Sequence, residues 1–155
     1  SKGTVTKGGL RPDRYTVQRG REDRVESAAF DWEKLTGTLV GRGNSRNWVL
    51  QAGTQDQLSF LYQLAFLVNR EGGRRLTVTN ARSIDSAAFE VLGEEAIRTG
   101  AGDFQALHVR SRVGTEGGTV EVWLSTQHQY LPVKIRLRDK RGEQAEQVAS
   151  AIRMR

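Results

Sequence analysis

His128, in the segment Ser125-Thr126-Gln127-His128-Gln129-Tyr130, has the type and surroundings for proton transfer, because an imidazole in a polar connection between two strands reaches solvent as a general base must. Nothing in the spacing identifies a nucleophile for it. Glu94-Glu95 offers two carboxylates of the kind used in glycoside hydrolysis. Adjacent residues on a strand point to opposite faces, so the two read better as a solvated turn. His108 alternates with Leu107 and Val109, which places it on an outer, polar face beside Arg110 as a surface histidine. Asp31, between Phe30 and Trp32, and Asp56, just ahead of an apolar run, read as turn formers or caps. No catalytic residue is assigned.

Other chemistries are excluded by residue supply. The chain has no cysteine and two histidines, which rules out disulfides, thiolate metal sites and a histidine-rich metal site, and no cofactor is expected. No nucleophile elbow, Walker loop, dinucleotide fingerprint or H-E-x-x-H occurs. The net charge of +6 comes from 19 arginines and five lysines against 18 acids. These cations are dispersed among acids, as in Arg21-Glu22-Asp23-Arg24, and form no like-charge block. A nucleic-acid partner is therefore not expected; such a role would need Arg110, Arg112, Lys134, Arg136 and Arg138 to make one basic face.

The elements that must position these residues are mostly short strands. At 155 residues the chain suits a single domain over 1–155, and 17 glycines against two prolines punctuate it as turns punctuate a β protein. Period-two sets occur at Tyr15 and Val17, at Ala28, Phe30 and Trp32, at Leu35 with Leu39, and at Trp48 with Leu50. They continue at Leu76 and Val78, at Ala87, Phe89 and Val91, and, after a turn at 99–102, from Leu107 to Val113. Val120 to Leu124 and Val133 to Leu137 complete the set, the latter with Lys134, Arg136 and Arg138 on its wet face. If residues 107–113 and 120–124 pair as a hairpin, Arg112 faces Glu121 and Arg110 faces Trp123, giving an ion pair and a cation–π contact.

One segment breaks the pattern. Thr54 and Gln57 have capping-box spacing, Asp56 suits the positive end of a helix dipole, and an apolar run follows, which predicts a helix from about 55 to 69 ended by Gly72-Gly73. Leu58 to Val68 leaves almost no polar face, so the helix is expected as a plug inside or across a strongly curved sheet. The run is about half the length that spans a bilayer, so no transmembrane segment is expected. Should the helix cover a cavity, Leu58, Leu61, Tyr62, Ala65 and Phe66 are the apolar ligand-binding candidates. The last segment, Glu143 to Met154, fits either a helix or a strand by pattern.

A series of short motifs carries a resemblance: Gly9-Leu10-Arg11-Pro12, Phe30-Asp31-Trp32, Gln55-Asp56-Gln57-Leu58-Ser59 with Leu61-Tyr62-Gln63-Leu64, Gly93-Glu94-Glu95, Val122-Trp123-Leu124-Ser125 and Tyr130-Leu131-Pro132-Val133-Lys134-Ile135. In this order the chain resembles a proteobacterial envelope family, domain of unknown function three-one-zero-eight. The resemblance implies a mainly β protein with a strongly curved antiparallel sheet of open or spiral barrel kind, and a strand at the end of the chain. It further implies a periplasmic or secreted protein, membrane-anchored in some precursors. Family members carry a signal peptide and further strands before the serine-x-glycine matching Ser1-Lys2-Gly3, so one sheet edge is expected to be open to edge-to-edge contact between copies. The expected role is a non-enzymatic scaffold for a lipid, a lipoprotein or an envelope partner. The alternatives are a hydrolase of envelope material using His128 and a basic nucleic-acid module.

Overall fold

The period-two sets do fold as strands. In the computed structural model, which describes residues 1–18, 20, 25–69, 75–114 and 118–153, twelve strands and one helix follow in chain order. They are β1 (Lys2–Thr6), β2 (Gly9–Gln18), β3 (Val25–Asp31), β4 (Thr36–Gly41), β5 (Asn44–Val49), β6 (Gln55–Asp56), α1 (Ser59–Leu67), β7 (Arg75–Thr79), β8 (Ile84–Thr99), β9 (Gly102–Val113), β10 (Thr119–Ser125), β11 (Leu131–Arg138) and β12 (Gln144–Val148). The chain divides into two compact units, 1–66 with 76–86, and 67–75 with 87–155. One sheet runs β1-β2-β3-β4-β5 and the other β12-β11-β10-β9-β8-β7-β6. Only the short β6–β7 pairing is parallel among the pairs described. The architecture is thus mainly β and antiparallel, as expected.

In the first unit the inward positions predicted from alternation meet in one core of Tyr15, Ala28, Phe30, Leu39, Leu50 and Ala81, flanked by Val17, Trp32, Trp48 and Ile84. Phe30 stacks on Trp32 and meets Trp48 edge-on. Gly37 is a necessity of that packing, since a Cβ there would sit 2.1 Å from the Trp48 ring. Leu35 departs from the expected alternation: it takes φ 51° in the turn before β4 and is exposed.

The helix is shorter than predicted and begins later, at Ser59 instead of about 55, because residues 55–56 are committed to β6. Its cap is Asp56, whose Oδ1 accepts from the Leu58 and Ser59 amides at 2.9 Å each, while Ser59 Oγ accepts from the Asp56 amide at 3.0 Å. Thr54 instead closes a turn onto the Gln51 carbonyl. The Gly72-Gly73 stop lies outside the described residues. The helix is not buried all round, as a plug would be. Ser59, Phe60, Gln63 and Leu64 are buried, whereas Leu58 and Tyr62 are 45% and 43% exposed. Burying Phe60 and Leu64 contributes about 1.5–3 kcal/mol each.

What holds the helix is polar. Strand β2 pairs with β3 only from Arg14 to Gln18, so among the described residues no backbone ladder covers Leu10 on that side. Gln63 Oε1 accepts from the Leu10 amide at 2.6 Å, Gln55 Nε2 donates to the Leu10 carbonyl at 2.9 Å, and Gln63 Nε2 donates to the Gly8 carbonyl at 3.2 Å. Gly9, at φ 113°, leaves the room: a Cβ there would be 2.3 Å from Gln63 Oε1.

In the second unit β8 to β12 form a strongly curled antiparallel sheet. β8 is 16 residues long and crosses Glu94-Glu95 without a turn. A bulge between Val91 and Gly93, with Gly93 at φ 144°, bends it there, and a second irregularity falls at Trp123/Leu124. Within Glu143 to Met154 the structure forms strand β12 over Gln144–Val148, the strand the resemblance implied, and residues 149–153 leave it. The β9–β10 register differs from the expected one by two residues: Glu121 faces Arg110, and Trp123 faces His108. A two-residue slip keeps every side chain on its face, so alternation alone cannot choose between the registers.

Gly9→Ala is expected to cost about 2 kcal/mol or more, through the left-handed backbone and the displaced amide, and Gln63→Ala about 1–3 kcal/mol. The double variant should lose less than the sum, because both act on the Leu10 bonds. Urea denaturation of the three variants decides this, and strict additivity would disprove the coupling.

Candidate functional site

The outer face of the curled sheet carries a row of charges of alternating sign across five strands. Cα partners run Glu90, Arg110, Glu121, Arg136, Glu146 from β8 to β12. Arg110 Nε donates to Glu90 at 2.9 Å, Arg136 lies 3.6 Å from Glu121, and Arg136 reaches Glu146 at 3.0 Å. Each residue comes from a different strand, so only strand register brings them together. Beside this row lie His108, Trp123 and Lys134, again cross-strand partners.

His108 stacks on Trp123, with centroids 4.2 Å apart and planes 15° apart. Its two ring nitrogens meet carboxylates, Nδ1 at 3.1 Å from Glu95 and Nε2 at 3.2 Å from Glu121. Trp123 donates its indole N–H to Glu95 at 2.5 Å. Its faces receive cations, Lys134 Nζ at 4.7 Å and Arg136 Cζ at 5.1 Å from the ring centroid.

His108 is thus no free surface histidine: its side chain is 18% exposed and fully engaged. Glu95 is no solvated turn residue but its partner. The expected Arg110–Trp123 and Arg112–Glu121 pairs are replaced by Arg110–Glu90 and by the stacking of Trp123 under β9 and β11 residues. Period-two reading missed this cluster because its signal lies across strands, in the row offset.

Arg110, Arg112, Lys134, Arg136 and Arg138 do lie on one face, since β10 positions pair with them on either side. Glu90, Glu95, Glu121 and Glu146 interleave with them, so five cations share this face with four carboxylates. The hydrogen bond from Arg136 holds the Glu146 carboxyl below its usual value, with Lys134 adding to the effect and partial burial opposing it. At the β8–β9 turn Arg98 does the same for Asp103, donating at 2.7 Å.

His128 does find a hydroxyl. Ser125 Oγ lies 2.8 Å from His128 Nδ1, and the imidazole meets the Phe104 ring edge-on at 5.4 Å, above an open pocket of about 380 Å³ that Asp103 also lines. Ser125, however, is fully buried, so a substrate carbonyl has no path to its Oγ. Asp103 is engaged by Arg98, and among the described residues no carboxylate pairs with His128. The contact closes the β10–β11 turn, with the His128 and Tyr130 amides both donating to the Ser125 carbonyl.

The apolar candidates divide. Leu58 and Tyr62 line an open groove of about 260 Å³ in the first unit, together with Val5, Leu10, Arg11 and Pro12. Leu61, Ala65 and Phe66 are half-buried elsewhere on α1 and do not line it. Ser1 Oγ donates to Asp56 Oδ2 at 2.7 Å at the groove's end, which ties β1 to the helix cap. Among the described residues no group of three His, Cys, Asp or Glu side chains could hold a metal. No described helix is long and apolar enough to cross a membrane.

Fold and sites together define a curved antiparallel β protein with a short capped helix and a charge-laddered sheet face. The chain belongs to the family described as Protein of unknown function (DUF3108), whose profile matches residues 1–148. No curated protein and no solved structure matches it.

The Glu146 carboxyl, titrating below its ordinary value in the folded chain, contributes stability that is present above the unfolded carboxyl's pKa and is lost as pH falls through the lowered one. Melting temperature followed from neutral to about pH 3 should therefore fall less steeply for Glu146→Gln than for the wild type. Identical slopes would show that the row adds nothing at its β12 end.

Proposed function

We propose that this chain is a non-enzymatic scaffold of the bacterial cell envelope that receives an acyl chain of a lipid or lipoprotein in the groove beside α1. The supporting observation is the gathering of exposed apolar side chains there, Val5 at 72%, Leu58 at 45% and Tyr62 at 43%, above a floor of Leu10 and Pro12. Exposed apolar groups collected around a concavity mark a binding surface more often than isolated ones do. At about 260 Å³ the groove suits part of an acyl chain better than a bulky ring system. The envelope setting, periplasmic or secreted and proteobacterial, rests on the motif series shared with the family. A hydrolase is the weaker reading, because the one hydroxyl beside His128 is sealed from solvent.

Displacement of a fluorescent fatty acid, with native mass spectrometry of the gently purified protein, tests the proposal. Saturable binding is expected, and Leu58→Gln with Tyr62→Gln should weaken it about tenfold, in line with loss of apolar burial. Absence of saturable binding by the wild type, or equal binding by the double variant, refutes an acyl site in this groove.

Self-association is a second reading, supported by β1, which lies at the margin of its sheet with every residue exposed. Sedimentation should then show concentration-dependent dimers that Val5→Pro abolishes. A monomer at all concentrations removes this reading and leaves the acyl proposal untouched.

A further inference from the structure

We propose a second binding site, independent of the groove, that takes the phosphate group of an organic phosphate at the β4–β5 turn. An open pocket of about 280 Å³ is lined there by Arg42, Arg46 and Arg82, with Glu26, Leu39 and Ala81 among its other walls. Among the described residues, three guanidinium groups against one carboxylate leave an excess of two positive charges there. That carboxylate is already satisfied: Glu26 is buried, and Arg82 Nε donates to both its oxygens at 2.6 and 2.7 Å. Among the described residues neither Arg42 nor Arg46 pairs with an acid, whereas Arg110, Lys134 and Arg136 of the β8–β12 face each do. Arg46 is nonetheless placed, because its terminal nitrogen donates to the Arg82 carbonyl at 3.3 Å.

The turn itself points the same way. Arg42 and Gly43 take φ 52° and 77°, the paired left-handed conformation of a tight hairpin, where asparagine and glycine are the low-strain residues. An arginine in the first position is strained, and strain of this kind gathers at functional sites. The apolar walls at Leu39 and Ala81 lower the local dielectric, which strengthens attraction for an anion. Guanidinium forks match the oxygen spacing of phosphate and bind it in bidentate fashion. At about 280 Å³ the open pocket has more room than a bare phosphate fills, which leaves space for an organic group beside it.

Two sources of that phosphate, a lipid headgroup and a soluble phosphate compound, are separated by two assays: titration calorimetry with inorganic phosphate, and co-flotation with vesicles of phosphatidylglycerol against phosphatidylcholine. Inorganic phosphate should bind in the millimolar range or tighter, beyond the effect of chloride at matched ionic strength. Arg42→Gly relieves the left-handed strain, so it should melt at or above the wild-type temperature while binding phosphate about tenfold more weakly. Arg46→Gln should weaken binding similarly, and Arg112→Gln, which removes the same charge elsewhere, should leave it unchanged. Flotation with phosphatidylglycerol alone, lost in Arg42→Gly, assigns the headgroup; phosphate binding without flotation assigns a soluble compound. No phosphate binding by the wild type at about 10 mM, equal binding by Arg42→Gly, or equal competition by chloride overturns the site.

Discussion

The backbone N–H and C=O of Leu10 are both held by buried side-chain amides, and the first unit depends on that grip. A strand that loses its neighbour halfway along must satisfy its backbone some other way, since buried N–H and C=O groups left bare cost about 1–3 kcal/mol each. Gln63 and Gln55 together imitate the missing strand, one accepting and one donating. Because Gln55 belongs to β6 and Gln63 to α1, the same bonds fix where the helix starts and which of its faces turns inward. The outward placement of Leu58 and Tyr62, and hence the groove, follows from burying a glutamine where the hydropathy of the run would place a leucine.

In the second unit the organising element is Trp123. Its ring is buried at the margin of an apolar cluster with Phe104, Ala106 and Val133, and lies under His108 on one strand and Lys134 and Arg136 on another. Such a ring can be sheltered there only if the surrounding charges are mutually satisfied, which the row from Glu90 to Glu146 achieves. Arg42 and Arg46 of the first unit, by contrast, meet no acid among the described residues.

Much of this was legible in the residues. The strand sets, the core of the first unit, the cap role of Asp56 and the turn role of Asp31 all follow from period, propensity and short-range hydrogen bonding, which act between residues close in sequence. Asp31, for example, accepts from the Lys34 amide at 2.9 Å, three residues away. The helix start was displaced because β6 competes for residues 55–56 through a pairing with Val78 and Thr79, a contact that no local window contains. The His108 cluster was hidden for a related reason: register is degenerate in steps of two, and only the sum of the cross-strand contacts selects one. Likewise, the hydroxyl beside His128 sits three residues away at Ser125, but its burial is a property of the folded turn.

The alternating row has a consequence for how this face can change over time. Each interior member of the row has Cα partners of opposite charge on two different strands, so a lone charge reversal there leaves two like-sign neighbours, whereas exchanging an end pair such as Arg136 and Glu146 restores that pair and disturbs only Glu121. Tolerated drift should therefore run along rows, at right angles to the chain, linking positions such as Arg136 and Glu146 that are 10 residues apart. The face is inherited as a woven pattern of pairs, and single threads cannot be swapped alone.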